Sequence, residues 1–267
     1  MKKNRYYFLR KDIDCQSPSF FLYLETFLPP AITKLMKNLS EQTQVYVFSG
    51  VIKNFLLGFL EHRDLDLVVS CEKNLNVHVR KLLCLGLAEI KRNKFDGLKL
   101  VLDGMDVDIW RIERTKGLVD KQLAPTPENL IKTSFFNFSA IVYDYNHRRF
   151  IYGADFCRFL QYRELDVVCE ENPFVESCII STFYYAEKYE LSISNKLCRW
   201  IGFRYQNGMD FREVQLRRFG KECYTKSVIN SICEALLLNP GARITKINRI
   251  GKQIEVNLPD LRIICIE

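Results

Sequence analysis

Apolar positions recur along this chain in two rhythms, one helical and one alternating. Near the start, Phe20, Leu22, Leu24, Phe27 and Leu28, then Ile32, Leu35 and Leu39, suggest helical segments on either side of a break at Pro29-Pro30. Val45-Tyr46-Val47-Phe48 has the length of a strand and ends at Ser49-Gly50. Ile52, Phe55, Leu56 and Phe59 then predict a helix over 52–60 that stops near Gly58. Asp64-Leu65-Asp66-Leu67-Val68-Val69 alternates as a strand does, its carboxylates on one face. Residues 77–90 read as a helix. Leu98-Lys99-Leu100-Val101-Leu102 and residues 105–112 flank Asp103-Gly104, a strong signal for a two-residue type I′ hairpin. The first 112 residues therefore read as an α/β unit.

The rhythm changes afterwards. Thr126 and Pro127 have the residue types of an N-cap and a first helical position. Residues 138–143 fit either a strand or the end of that helix. Helical spacing dominates 173–203 and 211–238, and strand-like stretches fill 244–266 with breaks at Gly251 and Pro259. No internal repeat or low-complexity linker interrupts the chain. The expected fold class is α+β, with one domain over 1–154 and a mainly helical one over 155–267.

The composition, 267 residues with 48% apolar and 27% charged, excludes a disordered chain, a fibre and a disulfide-stapled mini-protein. A net charge of +7 tilts the choice of partners toward polyanions. The ten cysteines contain no CxxC pair and His62, His78 and His147 lie far apart, so no zinc pattern survives. These cysteines are expected to be small core residues of a reduced, cytoplasmic protein. No signal peptide is read, because Lys11, Asp12 and Asp14 follow the basic start before any apolar stretch. The stretch 20–36 carries Glu25 and Pro29-Pro30, which leaves it short of a membrane span.

Candidate chemistry lies in two aspartate pairs. Asp64 and Asp66, like Asp106 and Asp108, are two apart on a predicted strand, so each pair projects from one face while Leu65, Leu67, Val107 and Ile109 face the core. If the strands are neighbours, up to four carboxylates converge, and like charges at that density require cations between them. All-oxygen ligands suit Mg²⁺, which keeps bound water for a phosphate substrate, so a two-metal site is the natural chemical reading. The competing reading is the solvated face of an edge strand. Ser49-Gly50 adds a strand-to-helix turn whose backbone N–H groups can meet an anion, with Gly permitting close approach.

Ser49-Gly50-Val51-Ile52-Lys53-Asn54-Phe55-Leu56-Leu57-Gly58, followed by Arg63-Asp64-Leu65-Asp66-Leu67-Val68, resembles the signature of the polymerase-β-type nucleotidyltransferases. Within that superfamily it is most similar to the head domain of bacterial poly(A) polymerases and CCA-adding tRNA nucleotidyltransferases. There the run is Gly-Gly, two residues, Arg-Asp, three mostly leucine positions and Gly, then Asp-x-Asp. Here Ser49, Lys53 and Asn54 stand for the first Gly, the Arg and the Asp. The resemblance implies a nucleotidyltransferase-fold mixed sheet flanked by helices. It also implies that Asp64 and Asp66 hold the metals, that Ser49-Gly50 seats a triphosphate, and that Asp108 is the third carboxylate, with Asp106 as second choice. Residues 132–144 resemble the later motif Arg-Arg-Asp-Phe-Thr-x-Asn-Ala-x-x-Tyr-Asp. The Arg-Arg-Asp triplet is lost, Phe136, Ala140, Tyr143 and Asp144 are in place, and Asn137 or Ser139 stands for the Asn. Asn172-Pro173 and residues 179–191 resemble the neck, whose base-reading Asp and Arg are replaced by Val175-Glu176-Ser177-Cys178. The resemblance covers residues 45–200.

The function it implies is template-independent transfer of NMP or dNMP from a nucleoside triphosphate, ATP or dATP first, to a hydroxyl at a nucleic-acid 3′ end or on an oligonucleotide. Asp64, Asp66 and Asp108 would be the catalytic and metal-binding residues, with two Mg²⁺ ions for which Mn²⁺ can substitute. Ser49, Gly50, Lys53, Arg63, Arg111, Asn137 and Ser139 are the nucleotide-binding candidates. The altered base-reading positions point to a single-base or relaxed polymerase, and the minimal form resembles transferases of bacterial toxin and anti-phage modules. Two alternatives stay open: a catalytically silent nucleotide- or nucleic-acid-binding module, and transfer to a protein hydroxyl. Farther along, Arg199, Arg204, Arg212, Arg217 and Arg218 interleave with Trp200, Phe203, Phe211, Phe219 and Tyr224. Either they form a groove of cations and stacking rings for a nucleic-acid strand, or they are amphipathic helices with aromatic cores and basic outer faces.

Overall fold

Alternation along short strands decides the central sheet, and the computed structural model describes it within residues 2–59, 64–70, 89–92, 97–259 and 261–266. Three helices come first: α1 (Lys2–Cys15), α2 (Ser17–Phe27) and α3 (Pro30–Ser40). The break between α2 and α3 falls at Leu28-Pro29, since Pro29 has no N–H to continue a helix and Pro30 suits a first helical position. Phe20, Leu24, Ile32, Leu35 and Leu39 are all buried. Then follow β1 (Val45–Phe48), α4 (Gly50–Leu56), β2 (Asp64–Val69), β3 (Glu89–Arg92), β4 (Leu98–Leu102) and β5 (Met105–Arg111). Short helices α5 (Lys116–Asp120) and α6 (Pro127–Leu130) lead to β6 (Ile141–Asp144), β7 (Arg149–Tyr152) and α7 (Ala154–Tyr162).

Among the described residues, seven strands form one mixed sheet in the order β3-β4-β5-β2-β1-β6-β7. β2 and β5 run parallel, and the other neighbours pair antiparallel. The Asp103-Gly104 turn is as expected: both residues have left-handed φ, 48° and 80°, and Leu102 pairs with Met105. Asp103 also ties the hairpin tip to α3, its carboxylate accepting from Ala31 N at 3.2 Å. Thr126 caps α6 through Asn129 N. The ambiguous 138–143 stretch resolves into a 3₁₀ turn at Asn137–Ser139 and then β6. One expectation is corrected in part. Where the end of a helix was expected, Glu89–Arg92 is a strand that pairs with β4, an outcome periodicity cannot foresee over so short a run. Residues 77–88 lie outside the described ones.

The chain divides into two compact units, 1–134 with 138–157, and 135–137 with 158–267. The sequence shows no mark of the excursion at 135–137, because hydrogen bonds and not periodicity create it. Asn137 donates its amide N–H to Glu164 O at 2.9 Å and accepts from Asp166 N at 3.0 Å, while Val168 N donates to Phe135 O at 2.8 Å. The second unit holds β8 (Glu164–Leu165), α8 (Val175–Lys188), β9 (Ser192–Ile193), α9 (Asn195–Arg204), α10 (Phe211–Phe219) and α11 (Lys226–Leu238). It closes with an antiparallel meander of β10 (Lys246–Ile250), β11 (Gln253–Leu258) and β12 (Leu261–Ile266).

Burial of three of its rings fits the amphipathic reading of the basic-aromatic stretch. Trp200, Phe211 and Tyr224 are buried, and Phe219 stacks on Tyr184 with ring centroids 4.1 Å apart. Phe203 is the exception at 85% exposure. Arg199, Arg204, Arg212, Arg217 and Arg218 all face outward. Cys15 is exposed, while Cys157, Cys169, Cys178, Cys198, Cys223, Cys233 and Cys265 are buried free thiols. Burial pushes the Cys178 and Cys198 thiols up to about 12, which makes them packing residues. Among the described residues, no helix is long and apolar enough to cross a membrane.

The hairpin supplies the first prediction. A Cβ at Gly104 would meet open space but would have to adopt a φ of 80°. Gly104→Ala should therefore cost about 1–2 kcal/mol of stability, read as a lower urea midpoint with an unchanged slope.

Candidate active site

Residues directly opposite each other on neighbouring strands share a face of the sheet. The observed register therefore lays one row across five strands: Lys91 on β3, Lys99 on β4, Asp108 on β5, Asp66 on β2 and Phe48 on β1. The adjacent row holds Val101, Asp106 and Asp64. The condition set by the sequence, that the two Asp-bearing strands be neighbours, is met. Asp64 stands opposite Asp106 and Asp66 opposite Asp108, while Leu65, Leu67, Val107 and Ile109 are fully buried on the other side.

This crowding has an electrostatic cost. Burial, reinforced by the charges of Asp64 and Asp108, pushes the Asp66 carboxyl up to about 7. Asp108 is also held above the ordinary carboxylate range by burial and by Asp64 and Asp106, with Lys99 opposing. The Lys99 ammonium lies 3.5 Å from Asp106 Oδ2 and 3.9 Å from Asp108 Oδ2.

The Ser49-Gly50 turn follows directly on Phe48, which stands opposite Asp66, so it sits beside the start of β2. Ser49 is held at φ 50° and ψ −77°, an uncommon conformation for a residue with a Cβ. Its N–H donates to Ile141 O at 3.2 Å and its carbonyl accepts from Lys53 N at 2.9 Å. Gly50 is different: its φ is not positive, and a Cβ added there would have no atom within 4 Å. Neither backbone conformation nor packing demands a glycine, so the missing Cβ leaves the backbone open to approach from outside the chain.

Of the remaining candidates, strand register places Arg111 alone relative to the acids. Lys53 is buried, with its ammonium 4.6 Å from the centroid of the Phe138 ring. Arg111 alternates with Asp108 and Trp110 and pairs with Val69, which puts it on the face opposite the carboxylates. Ser139 is half-buried, its carbonyl accepting from Ser134 Oγ at 3.0 Å. Asn137 belongs to the second unit, where both ends of its amide are engaged by backbone. Arg63 lies outside the described residues. Asp144, matched to the motif's last Asp, is buried and accepts from His147 N at 3.1 Å, which makes it a turn-former. Sequence reading missed Lys99, Lys91 and Phe48. For Lys99 the signal was present, because counting back from the two-residue turn places it opposite Asp108.

The carboxylates suit divalent ions in their chemistry: oxygen donors only, on one face, two of them with raised proton affinity. Among the described residues, no three His, Cys, Asp or Glu side chains come together as a ready-made metal cage. An ion on this face would therefore complete its coordination with water or substrate phosphates around one or two carboxylates.

No family model matches the chain, and no curated protein does. Solved structures do. A CCA-adding enzyme in complex with CTP is similar at 16% identity and a TM-score of 0.59, over 81% of this chain and 54% of that one. A Thermotoga maritima CCA-adding enzyme complexed with tRNA gives 17% identity and a TM-score of 0.57, over 81% and 53%. A tRNA-processing enzyme in an apo form gives 14% identity and a TM-score of 0.56, over 84% and 61%. At these identities the likeness shows the fold, which is the α+β nucleotidyltransferase fold of the CCA-adding enzymes. The chain spans little more than half the length of the first two.

Two predictions follow from the geometry. The folded Asp66 carboxyl titrates at about 7 against an ordinary 3.8, so its contribution to metal-free stability is full below the lower value and lost as pH rises through the higher. Urea melts in a chelator should show a decline on the order of a few kcal/mol over that window, and Asp66→Asn should flatten it. At the turn, Ser49→Gly should remove the backbone strain and raise the melting temperature by an amount equivalent to about 1 kcal/mol.

Proposed function

We propose that this chain is a template-independent nucleotidyltransferase that moves NMP or dNMP from a nucleoside triphosphate to a hydroxyl on a nucleic-acid 3′ end or an oligonucleotide. The observation that carries this reading is the pairing of Asp64 with Asp106 and Asp66 with Asp108, beside a turn that leaves the backbone open at Gly50. Support for the substrate classes comes from similar structures described with CTP and with tRNA.

Asp64, Asp66 and Asp108 would hold two divalent ions, Mg²⁺ first and Mn²⁺ as its substitute. Bound there, such ions supply Lewis acidity toward the attacking hydroxyl and neutralise charge on the triphosphate. The chain's own part is positional. Gly50 admits the phosphates to the backbone, and Ser49 is held in register by its bonds to Ile141 and Lys53. The buried leucines, valine and isoleucine behind the carboxylates keep that face rigid.

Base selection is expected to be relaxed. The first turn of α8 carries Val175, Glu176, Ser177 and Cys178 where the resembled neck has its Asp and Arg, and Ser177 Oγ accepts from Arg218 of α10 at 3.0 Å. The Asn137 amide is likewise engaged by backbone. A site that hydrogen-bonds a base edge rejects other bases strongly, and one without such groups does not. The buried free thiols suit the cytoplasm. A bacterial toxin or anti-phage module is the setting we favour for a transferase with relaxed base reading.

The test is a survey of all eight nucleoside and deoxynucleoside triphosphates with Mg²⁺ or Mn²⁺, with and without RNA, resolved on a gel and by intact mass. At least one triphosphate should label RNA, and Asp64→Asn and Asp66→Asn should each lower the rate by about a thousandfold or more. Absence of turnover with RNA, DNA and protein would sink the reading in favour of a silent binding module. A mass increase of the protein itself would move the acceptor to a protein hydroxyl.

A further inference from the structure

Asp106 and Asp108 compete for the place of third carboxylate, and β4 supplies the residue that separates them. Lys99 is cross-strand partner to Asp108, on the face that carries both carboxylates, between the buried Leu98 and Leu100. Its ammonium nevertheless leans toward Asp106, 3.5 Å from Oδ2 against 3.9 Å for Asp108 Oδ2. Lys91, exposed on β3, stands directly opposite Lys99 on the other side. Like charges placed opposite each other repel, so Lys91 biases Lys99 toward the carboxylates.

We propose that Lys99 is a built-in counterion that takes Asp106 out of the metal set and leaves Asp64, Asp66 and Asp108 to bind the ions. This inference rests on the nucleotidyltransferase reading for the identity of the metal site. Charge balance gives the pairing a purpose. Three carboxylates against two divalent ions leave one net positive charge to attract a triphosphate. A fourth uncompensated carboxylate would cancel it. Lys99 neutralises that fourth group without occupying a coordination position, since an ammonium only donates. In the metal-free protein the same ammonium, from across the hairpin, lowers the mutual repulsion of Asp106 and Asp108 on β5.

The experiment measures binding of Mn²⁺ alone, without nucleotide, to the whole chain by the electron paramagnetic resonance signal of the free ion. Asp108→Asn should weaken binding by about tenfold or more, and Asp106→Asn by less than about threefold. Lys99→Met should tighten binding by about threefold to tenfold, as expected for removing one partly screened unit charge at this distance. Adding Asp106→Asn to Lys99→Met should take that gain back, which is the coupling expected of a pair. Lys99→Arg, which keeps the charge, should bind as the parent does and so separates charge from fold. The proposal is overturned if Asp106→Asn weakens binding as much as Asp108→Asn, or if Lys99→Met binds no tighter while Lys99→Arg matches the parent. Parent protein whose Mn²⁺ binding is absent, or unchanged by Asp66→Asn, would overturn the metal-site reading itself and this inference with it.

Discussion

Four carboxylates on two adjacent strands repel one another, and the structure depends on what makes that repulsion tolerable. β2 and β5 pair in parallel, so each aspartate of one strand faces an aspartate of the other. Behind them Leu65, Leu67, Val107 and Ile109 lie fully buried. Burial of an aliphatic side chain of that size contributes about 1.5–3 kcal/mol. Four such residues interleaved with the acids anchor the strands from below while the upper face stays charged. A raised Asp66 is the remaining cost, and it is a cost that any cation on that face relieves.

The neighbouring features follow from keeping that pair in place. β1 lies against β2 and delivers Ser49-Gly50 to the end of the row of acids. On the other side the Asp103-Gly104 turn sets the register of β4 on β5, and with it the placement of Lys99. Asp103 serves twice, since its backbone makes the turn and its carboxylate accepts from the first turn of α3. One short hairpin thus sets two of the acids and the lysine that faces them, and adds one tie between the sheet and α3.

Local chemistry made this part of the chain legible. Strict alternation identified both acid strands, and Asp103-Gly104, residue types that tolerate left-handed φ, identified the hairpin that joins β4 to β5. Long-range choices were not legible. That Lys53 is buried beside Phe138 is one such choice, since that ring lies far away in sequence. Arg111 illustrates a different miss, because the alternation that grouped Asp106 with Asp108 already excluded it from their face. The aromatic residues of α9 and α10 were ambiguous for a third reason: ring and cation spacing is the same in a core-facing helix and in a stacking groove, and burial alone separates them.

Ser49 shows how the site diverged from the pattern it resembles. A serine at φ 50° is strained where glycine is not, yet the turn persists because Ile141 and Lys53 hold its two backbone polar groups. Lys53 in turn is fixed by its place in the core beside Phe138. The same logic applies to Asn137, whose amide is engaged by the backbone at Glu164 and Asp166. The row of acids and the Asn137 amide therefore rest on different physical supports. The acids are set by strand register within the first unit, which few substitutions can shift without unfolding the sheet. Single side chains are placed otherwise, by their own local bonds: Asn137 is held by the backbone at Glu164 and Asp166, and Ser177 by Arg218, so a substitution there changes one contact and leaves the register of the acids as it is.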